Sequence, residues 1–475
     1  MTTAQGRSVL DRLVDDSRMK YLGLVLVLTW HYTLWFVPTA FPATFLLDDR
    51  ITFGWLTALT CTVITTVALA LALGRTRHLP QSGWLLWTVS GLGCVATLTL
   101  TLGCGTTRGP LICYLASALI GICAGFLWVM WGERYACQRA QFTMGRLAPV
   151  YGIVLLAGLI AVYLLPGILA PILVCLMPVT SGLLLNLSWR KSQSVSFPPI
   201  LTRNTTRHAT LSIVIVCLIS FIVAYVSYFV VAIVPWEDLW GVERSFTFGV
   251  GIGAILILVI GLAHARLQGK TTIFKLFPWI LLFSLVACLL CLSSYPEDFT
   301  GFLLALTASS VLEVLVIMYM ARLTLSGYTP SATAFGMSAA AIRFGILLGN
   351  GTALIYERIP GFQDLWTQPT LLVFVVVLAG LLIPLVRQEY SINDLTVAPV
   401  DASQWSTTLE GISKQFHLSA RETEILELLG RGYTATAVAE KLIISPHTVN
   451  THVQHIYEKM GIHRRSELLD YLNKG

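Results

Sequence analysis

Two ionisable residues sit where charge is costly. Glu313 and Arg343 each lie near the middle of an apolar run long enough to cross a bilayer. At that depth charges pair with one another or mark the path of an ion or ligand. Glu313 is eight residues from one end of its run, and Arg343 is eleven from the matching end of the next. At 1.5 Å per residue their depths differ by about 4–5 Å, so a salt bridge is feasible. Two roles are open to such a pair: locking helices together, or binding a ligand and switching when it enters. A second feature is Trp30-His31-Tyr32 with Trp35, polar aromatics in mid-run rather than at a membrane interface. His31 also reads as a satisfied interior histidine.

The elements that must position these residues follow from composition. The chain has 475 residues, 55% hydrophobic and 12% charged, where soluble domains carry about 25% charge. Its mean hydropathy is +0.74, so most of it must face lipid. Ten cysteines, mostly inside apolar runs, read as packing residues rather than metal ligands, and no CxxC pair occurs with partner ligands. The net charge of +6 is not by itself a nucleic-acid signature. The polar start, Met1 to Lys20, runs into a full-length apolar span, which argues against a cleavable signal.

A span needs roughly 20 apolar residues. Twelve runs qualify: 20–41, 51–74, 83–103, 110–131, 147–165, 168–188, 209–234, 246–265, 274–293, 300–321, 332–352 and 369–387. The polar stretch from Trp189 to His208 divides them six and six, into halves 20–188 and 209–387. With residues 1–19 placed in the cytoplasm, the inner segments hold eighteen basic residues. The outer loops hold four, Arg50, Arg108, Arg244 and Arg358. That bias expects both termini in the cytoplasm of a bacterial inner membrane. Residues 388–417, polar and containing Ser391 to Thr396, read as a cytoplasmic linker, with Ile412 to Phe416 offering a short helical approach.

Two six-span halves joined by a basic loop resemble the major facilitator fold. The resemblance implies that spans one, four, seven and ten line a central cavity. Those spans carry His31, Trp35, Trp128, Trp131, Tyr225, Tyr228, Glu313 and Tyr319. From them His31, Trp35, Tyr225 and Tyr228 join Glu313 and Arg343 as ligand or switch candidates, suited to a small aromatic or amphipathic molecule. Trp128, Trp131 and Tyr319 equally suit a membrane interface. The loop Leu73 to Pro80 lacks the aspartate of the family's gating motif between spans two and three, which counts against active transport.

Residues 418–475 read as four short helices. Ser419 with Glu422 makes a capping box ahead of Ile425, Leu428 and Leu429. A second helix covers about 435–442. Ser445 and Pro446 start a third, with Val449, Val453, Ile456 and Met460 as its core stripe and Gly461 as its stop. A fourth covers about 465–473. The series Ser419, Arg421-Glu422, Glu424-Ile425-Leu426, Gly432, Ala439, Leu442, Ile444-Ser445, Thr448-Val449, His452, Ile456, Lys459-Met460-Gly461, Arg465 and Glu467-Leu468 resembles the LuxR/FixJ/NarL-type helix-turn-helix. The resemblance implies that the third helix enters the major groove of double-stranded DNA. Asn450, Thr451 and Gln454 match its base-contacting positions, and Asn and Gln can pair with adenine while a Thr methyl meets thymine. Thr434, Thr436, Ser445, Thr448, His452 and Lys459 are phosphate candidates, His452 equally a packed histidine. In relatives the fourth helix dimerises, which points to Glu467, Leu468 and Tyr471 and to a homodimer on DNA.

The expectation is an all-α chain: a twelve-span bundle, then a four-helix module without a wing. No phosphate loop, nucleophile–base pair or phospho-acceptor domain is present in the sequence, so no enzyme, metal or cofactor is expected. The function expected is a membrane-bound transcription regulator that senses a small molecule. The alternatives are a working transporter with a regulatory DNA-binding tail, and a tethered DNA binder with no ligand.

Overall fold

The computed structural model describes residues 22–41, 50–73, 79, 83–103, 109–136, 144–190, 203–233, 242–266, 276–294, 299–325, 329–395, 402–430, 438–439, 442, 444–462 and 468. Among them the regular structure is helical, and no strand occurs. Twelve apolar helices come first: α1 Leu22–Phe36, α2 Arg50–Leu73, α3 Gly83–Gly103, α4 Gly109–Ala136, α5 Met144–Leu164, α6 Leu169–Arg190, α7 Arg203–Ile233, α8 Val242–Arg266, α9 Phe277–Ser294, α10 Phe299–Leu325, α11 Ser331–Arg358 and α12 Phe362–Leu395. Among the described residues, nine of these are long and apolar enough to cross a membrane, and the apolar stretches of α1, α8 (Thr247–Ala263) and α9 are shorter. A helix meets every backbone hydrogen bond internally, which hydrocarbon demands. The expected span order is therefore recovered.

The bundle has an inside and a lipid face. Leu71, Trp84, Leu111 and Val376 leave more than half their surface outward, as side chains in lipid do. By contrast α10 is enclosed: 89% of its apolar stretch is buried, against 22% for α12. Glu313 thus stands on the most enclosed helix.

The halves meet chiefly where α2 packs on α11 and α5 packs on α8. Each crossing depends on a glycine. A Cβ at Gly336 of α11 would lie 2.7 Å from the Thr66 carbonyl oxygen of α2, and one at Gly152 of α5 would lie 2.6 Å from the Ala254 carbonyl of α8. Small residues let helix backbones approach this closely when no hydrophobic effect drives association.

Among the described residues, three further helices belong to the C-terminal module, α13 Ala402–Gln415, α14 Ala420–Gly430 and α15 Pro446–Met460, and most of the expected helices at about 435–442 and 465–473 lies outside the described residues. The 388–417 linker expectation needs correction. The helix α12 continues to Leu395, and α13 takes up most of the remainder of that stretch. Leu409 and Ile412 of α13 are buried in one core with Ile425, Leu426, Val449 and Ile456. The cause is the spacing of Leu409, Ile412 and Phe416, an apolar stripe hidden in a polar stretch.

Gly336→Val should wedge α2 from α11 and cost about 1–3 kcal/mol, the range for overpacking. Scanning fluorimetry of the detergent-solubilised protein should show a lower melting temperature for this variant than for Gly351→Val, whose Cβ meets nothing within 4 Å.

Candidate functional site

Glu313 and Arg343 form an ion pair, with side chains only 5% and 6% exposed. Both belong to the second half, but they do not close on themselves. The Tyr32 hydroxyl of α1 donates to Glu313 Oε2 at 2.9 Å. The Arg343 guanidinium lies 4.5 Å above the Trp128 ring of α4. Each member of the pair is therefore tied to the first half, one by a hydrogen bond and one by a cation–π contact. A buried ion must be matched by partners because its desolvation is expensive, and here the partners come from across the interface. Tyr228 of α7 hydrogen-bonds Ser309, one turn before Glu313 on α10. Tyr151 of α5 is close enough to interact with both charges.

Other expected residues spread around this centre. His31 interacts electrostatically with Arg343 and meets Trp35 edge-on at 6.4 Å. It is half-buried, whereas Tyr32, Trp35 and Glu313 are buried. Trp35 also packs against Phe41. Tyr228 joins Trp55 and Phe36 in an aromatic layer with centroids 5.3–6.5 Å apart. Tyr225 goes elsewhere, with its hydroxyl 3.3 Å from Thr352 of α11 and its ring edge-on to Phe374 of α12. The interface reading of Trp128, Trp131 and Tyr319 gives way. They are 4%, 0% and 2% exposed, and Trp131 Nε1 donates to Ser181 at 3.0 Å. Sequence reasoning passed over Tyr151 altogether, because nothing along the chain relates a residue of α5 to a pair on α10 and α11.

In the module, Ser445 caps α15 by accepting from the Thr448 N–H at 3.0 Å, Pro446 comes next, and Gly461 closes the helix at φ 65°. Val449, Ile456 and Met460 are buried, while Asn450, Thr451 and Gln454 are exposed on the other face. The Thr451 hydroxyl is spent on the His447 carbonyl at 3.1 Å. Ser445 and Thr448 are exposed at the start of α15, and His452 is half-buried. Thr434, Thr436, Glu467 and Tyr471 lie outside the described residues.

Two of the expected residues take part in the module's own packing. Leu468 is fully buried in the module core, so its side chain supports the fold and offers no surface to a second copy. Lys459 donates to Glu422 Oε2 at 2.7 Å and to the His417 carbonyl at 3.3 Å, so its ammonium braces the module while the side chain remains part-exposed. His417 ends α13 in a left-handed conformation, φ 48°, and Lys459 fastens that turn to α15. The capping box is present: Ser419 N–H donates to Glu422 at 2.7 Å, and Glu422 N–H to Ser419 Oγ at 3.3 Å. Burial works to raise the Glu422 pKa, but the Lys459 ammonium and the Ser419 donors outweigh it and hold it down to about 2, against an ordinary 4.5.

Residues 417–472 match the family of bacterial regulatory proteins of the luxR family. The oxygen regulatory protein NreC of Staphylococcus aureus (strain JH9) is 46% identical over 57 residues, 12% of this chain and 26% of NreC. The C-terminal module is a LuxR-type helix-turn-helix. The chain spans about a quarter of the length of the curated relatives it matches. Outside the module, a bacterial homologue of the iron transporter ferroportin, in an outward-facing state with soaked iron, superposes with TM-score 0.52 at 14% identity, covering 77% of this chain and 98% of that one. An auto-inhibited peptide transporter of the POT family gives TM-score 0.47 at 12% identity, over 79% and 96% of the two chains. The first likeness gives the fold of the helical body, a polytopic, transporter-like bundle. The chain thus joins a membrane-embedded bundle to a DNA-binding module.

A folded-state pKa below the unfolded one means that Glu422 stabilises the module fully above about pH 4.5 and that this contribution is lost as pH falls toward 2. Thermal unfolding of a soluble fragment covering 402–475, followed by circular dichroism from pH 6 to 2, should show that loss. Lys459→Met should lower stability by about 1.5–3 kcal/mol at neutral pH and flatten the pH dependence.

Proposed function

We propose that this chain is a one-component transcription regulator of the bacterial cytoplasmic membrane, with both termini in the cytoplasm. Its transporter-like body senses a small molecule at the Glu313–Arg343 centre, and its LuxR-type module binds promoter DNA. One observation carries the reading: the same chain holds a DNA-binding module and a buried ion pair whose two members are each tied to the opposite half of the bundle. A pair arranged in this way is a latch. A ligand that competes for either member alters how the halves pack, and it shifts their equilibrium by its difference in affinity for the two packings.

The path to DNA is short. Only six positions, 396–401, separate the end of α12 from α13, which packs into the module. Six residues reach about 20 Å at full extension, so the module stays close to the membrane and moves with the end of α12. On DNA, Asn450 and Gln454 read adenine edges, the outward Thr451 methyl meets thymine, and Ser445 with Thr448 takes phosphate at the helix start. A single neutral reading face of this kind binds weakly, so two copies pair on adjacent half-sites. Tethering both to one membrane raises their effective concentration. The rival reading, a transporter with a regulatory tail, draws on the same protonatable carboxylate. Flux into proteoliposomes that Glu313→Gln abolishes would favour it.

The test is a reporter driven by the chain's own operator, located by chromatin immunoprecipitation and assayed against a small-molecule panel. The expected outcome is ligand-dependent output that Asn450→Ala removes by losing DNA and that Glu313→Gln removes by fixing output at one level whatever compound is added. The Asn450→Ala loss corresponds to about 1–3 kcal/mol of discrimination at its base. Output that depends on Asn450 but on no compound and not on Glu313 would leave a tethered DNA binder without a sensor.

A further inference from the structure

Hydrogen-bonding capacity around the latch is lopsided. Both Glu313 oxygens are in use, Oε1 with Arg343 and Oε2 with Tyr32. Among the groups around the pair that lack a hydrogen-bond partner are indole donors. Trp128 Nε1, on the ring beneath Arg343, has no hydrogen-bond partner, and neither has the Tyr151 hydroxyl. Farther along the aromatic layer, Trp55 Nε1 beside Tyr228 and Trp35 Nε1 beside His31 are also unpartnered. These side chains are 4%, 0%, 7% and 8% exposed. An indole N–H can only donate, and each buried donor left unmet costs about 1–3 kcal/mol. Such groups persist where something else satisfies them. The indole N–H groups around the centre lack acceptors.

We propose that the ligand of this centre is an aromatic carboxylate. The inference rests on reading the Glu313–Arg343 pair as the sensing site. The carboxylate supplies the missing acceptors, one oxygen to Arg343 and one to Trp128 Nε1, with the Tyr151 hydroxyl as a further donor. Its ring joins the layer formed by Phe36, Trp55 and Tyr228. Charge decides how it enters. The resident pair is neutral, and adding a bare anion to a low-dielectric interior is costly. The ligand therefore arrives as the carboxylic acid. Its O–H bond breaks, the proton passes to Glu313, and the new carboxylate takes the place of Glu313 beside Arg343. The total charge stays zero, with no oxidant or reductant involved. Neutral Glu313 then accepts a weaker hydrogen bond from Tyr32, because the charge assistance is gone, and the tie between the halves loosens. The other titratable groups facing the pair are His31, Tyr32, Tyr151 and Tyr228.

The experiment is calorimetric titration of the full-length, detergent-solubilised protein with benzoate, benzamide and benzylamine, three probes of one size and three charge types. The expected result is saturable binding of benzoate alone. Trp128→Phe, which keeps the ring and removes the N–H, should weaken it about tenfold. Glu313→Gln, which mimics the protonated carboxyl, should bind benzoate at least as well as the native chain and gain thermal stability from it. The double variant Arg343→Gln, Glu313→Gln replaces the ions with two amides that can pair, and it should lose benzoate. Benzylamine binding that Glu313→Gln abolishes would overturn the ligand class while leaving the site in place. Benzoate binding indifferent to Arg343 and Trp128, or no binding of any probe, would overturn the site reading itself.

Discussion

A charge that cannot reach water must find its partners inside the protein, and Glu313 and Arg343 find theirs across the seam between the two halves. On α10 and α11 alone the pair would be an internal brace of the second half. The Tyr32 hydrogen bond and the Trp128 ring make it a joint between halves. The enclosure of α10 keeps competing water away and so strengthens every interaction at the joint. The glycine crossings of α2 on α11 and of α5 on α8 bring the halves close enough for side chains to meet there. Closeness of backbone and pairing of charge depend on each other.

Much of this was legible along the chain, and the reason is length. A span of about 20 apolar residues is a strong signal, and all twelve helices fall where the runs lie. The start and stop of α15 were equally legible, since Ser445, Pro446 and Gly461 each act within one turn. The depth argument matched Glu313 to Arg343 because it needed only positions along neighbouring helices. It could not reach Tyr32, Trp128 or Tyr151, whose partnership depends on how α1, α4 and α5 rotate against α10 and α11. Local pattern misled in two places. The stripe Leu409, Ile412 and Phe416 was hidden among polar residues, so α13 passed for linker. Leu468 was read as a dimer contact, yet tertiary packing places it in the core, and Lys459, though part-exposed, pairs with Glu422.

The two ends of the chain obey opposite rules. In the bundle, polar groups are few, buried and costly to leave unmet. In the module, the reading face of α15 is polar and exposed, and its core is small. In the proposed regulation, the stretch from α12 through α13 links the two. The energies are commensurate: one hydrogen bond to a charged group is worth about 1.5–3 kcal/mol, enough to move a two-state equilibrium by roughly tenfold or more.

The most direct test of the joint is operator occupancy in cells with Tyr32→Phe, which removes one hydroxyl and leaves the Glu313–Arg343 pair and the DNA-reading face untouched. The account predicts occupancy changed by about tenfold without any added compound, with protein abundance and membrane insertion unchanged. Occupancy equal to that of the native chain would mean that the joint does not govern the module.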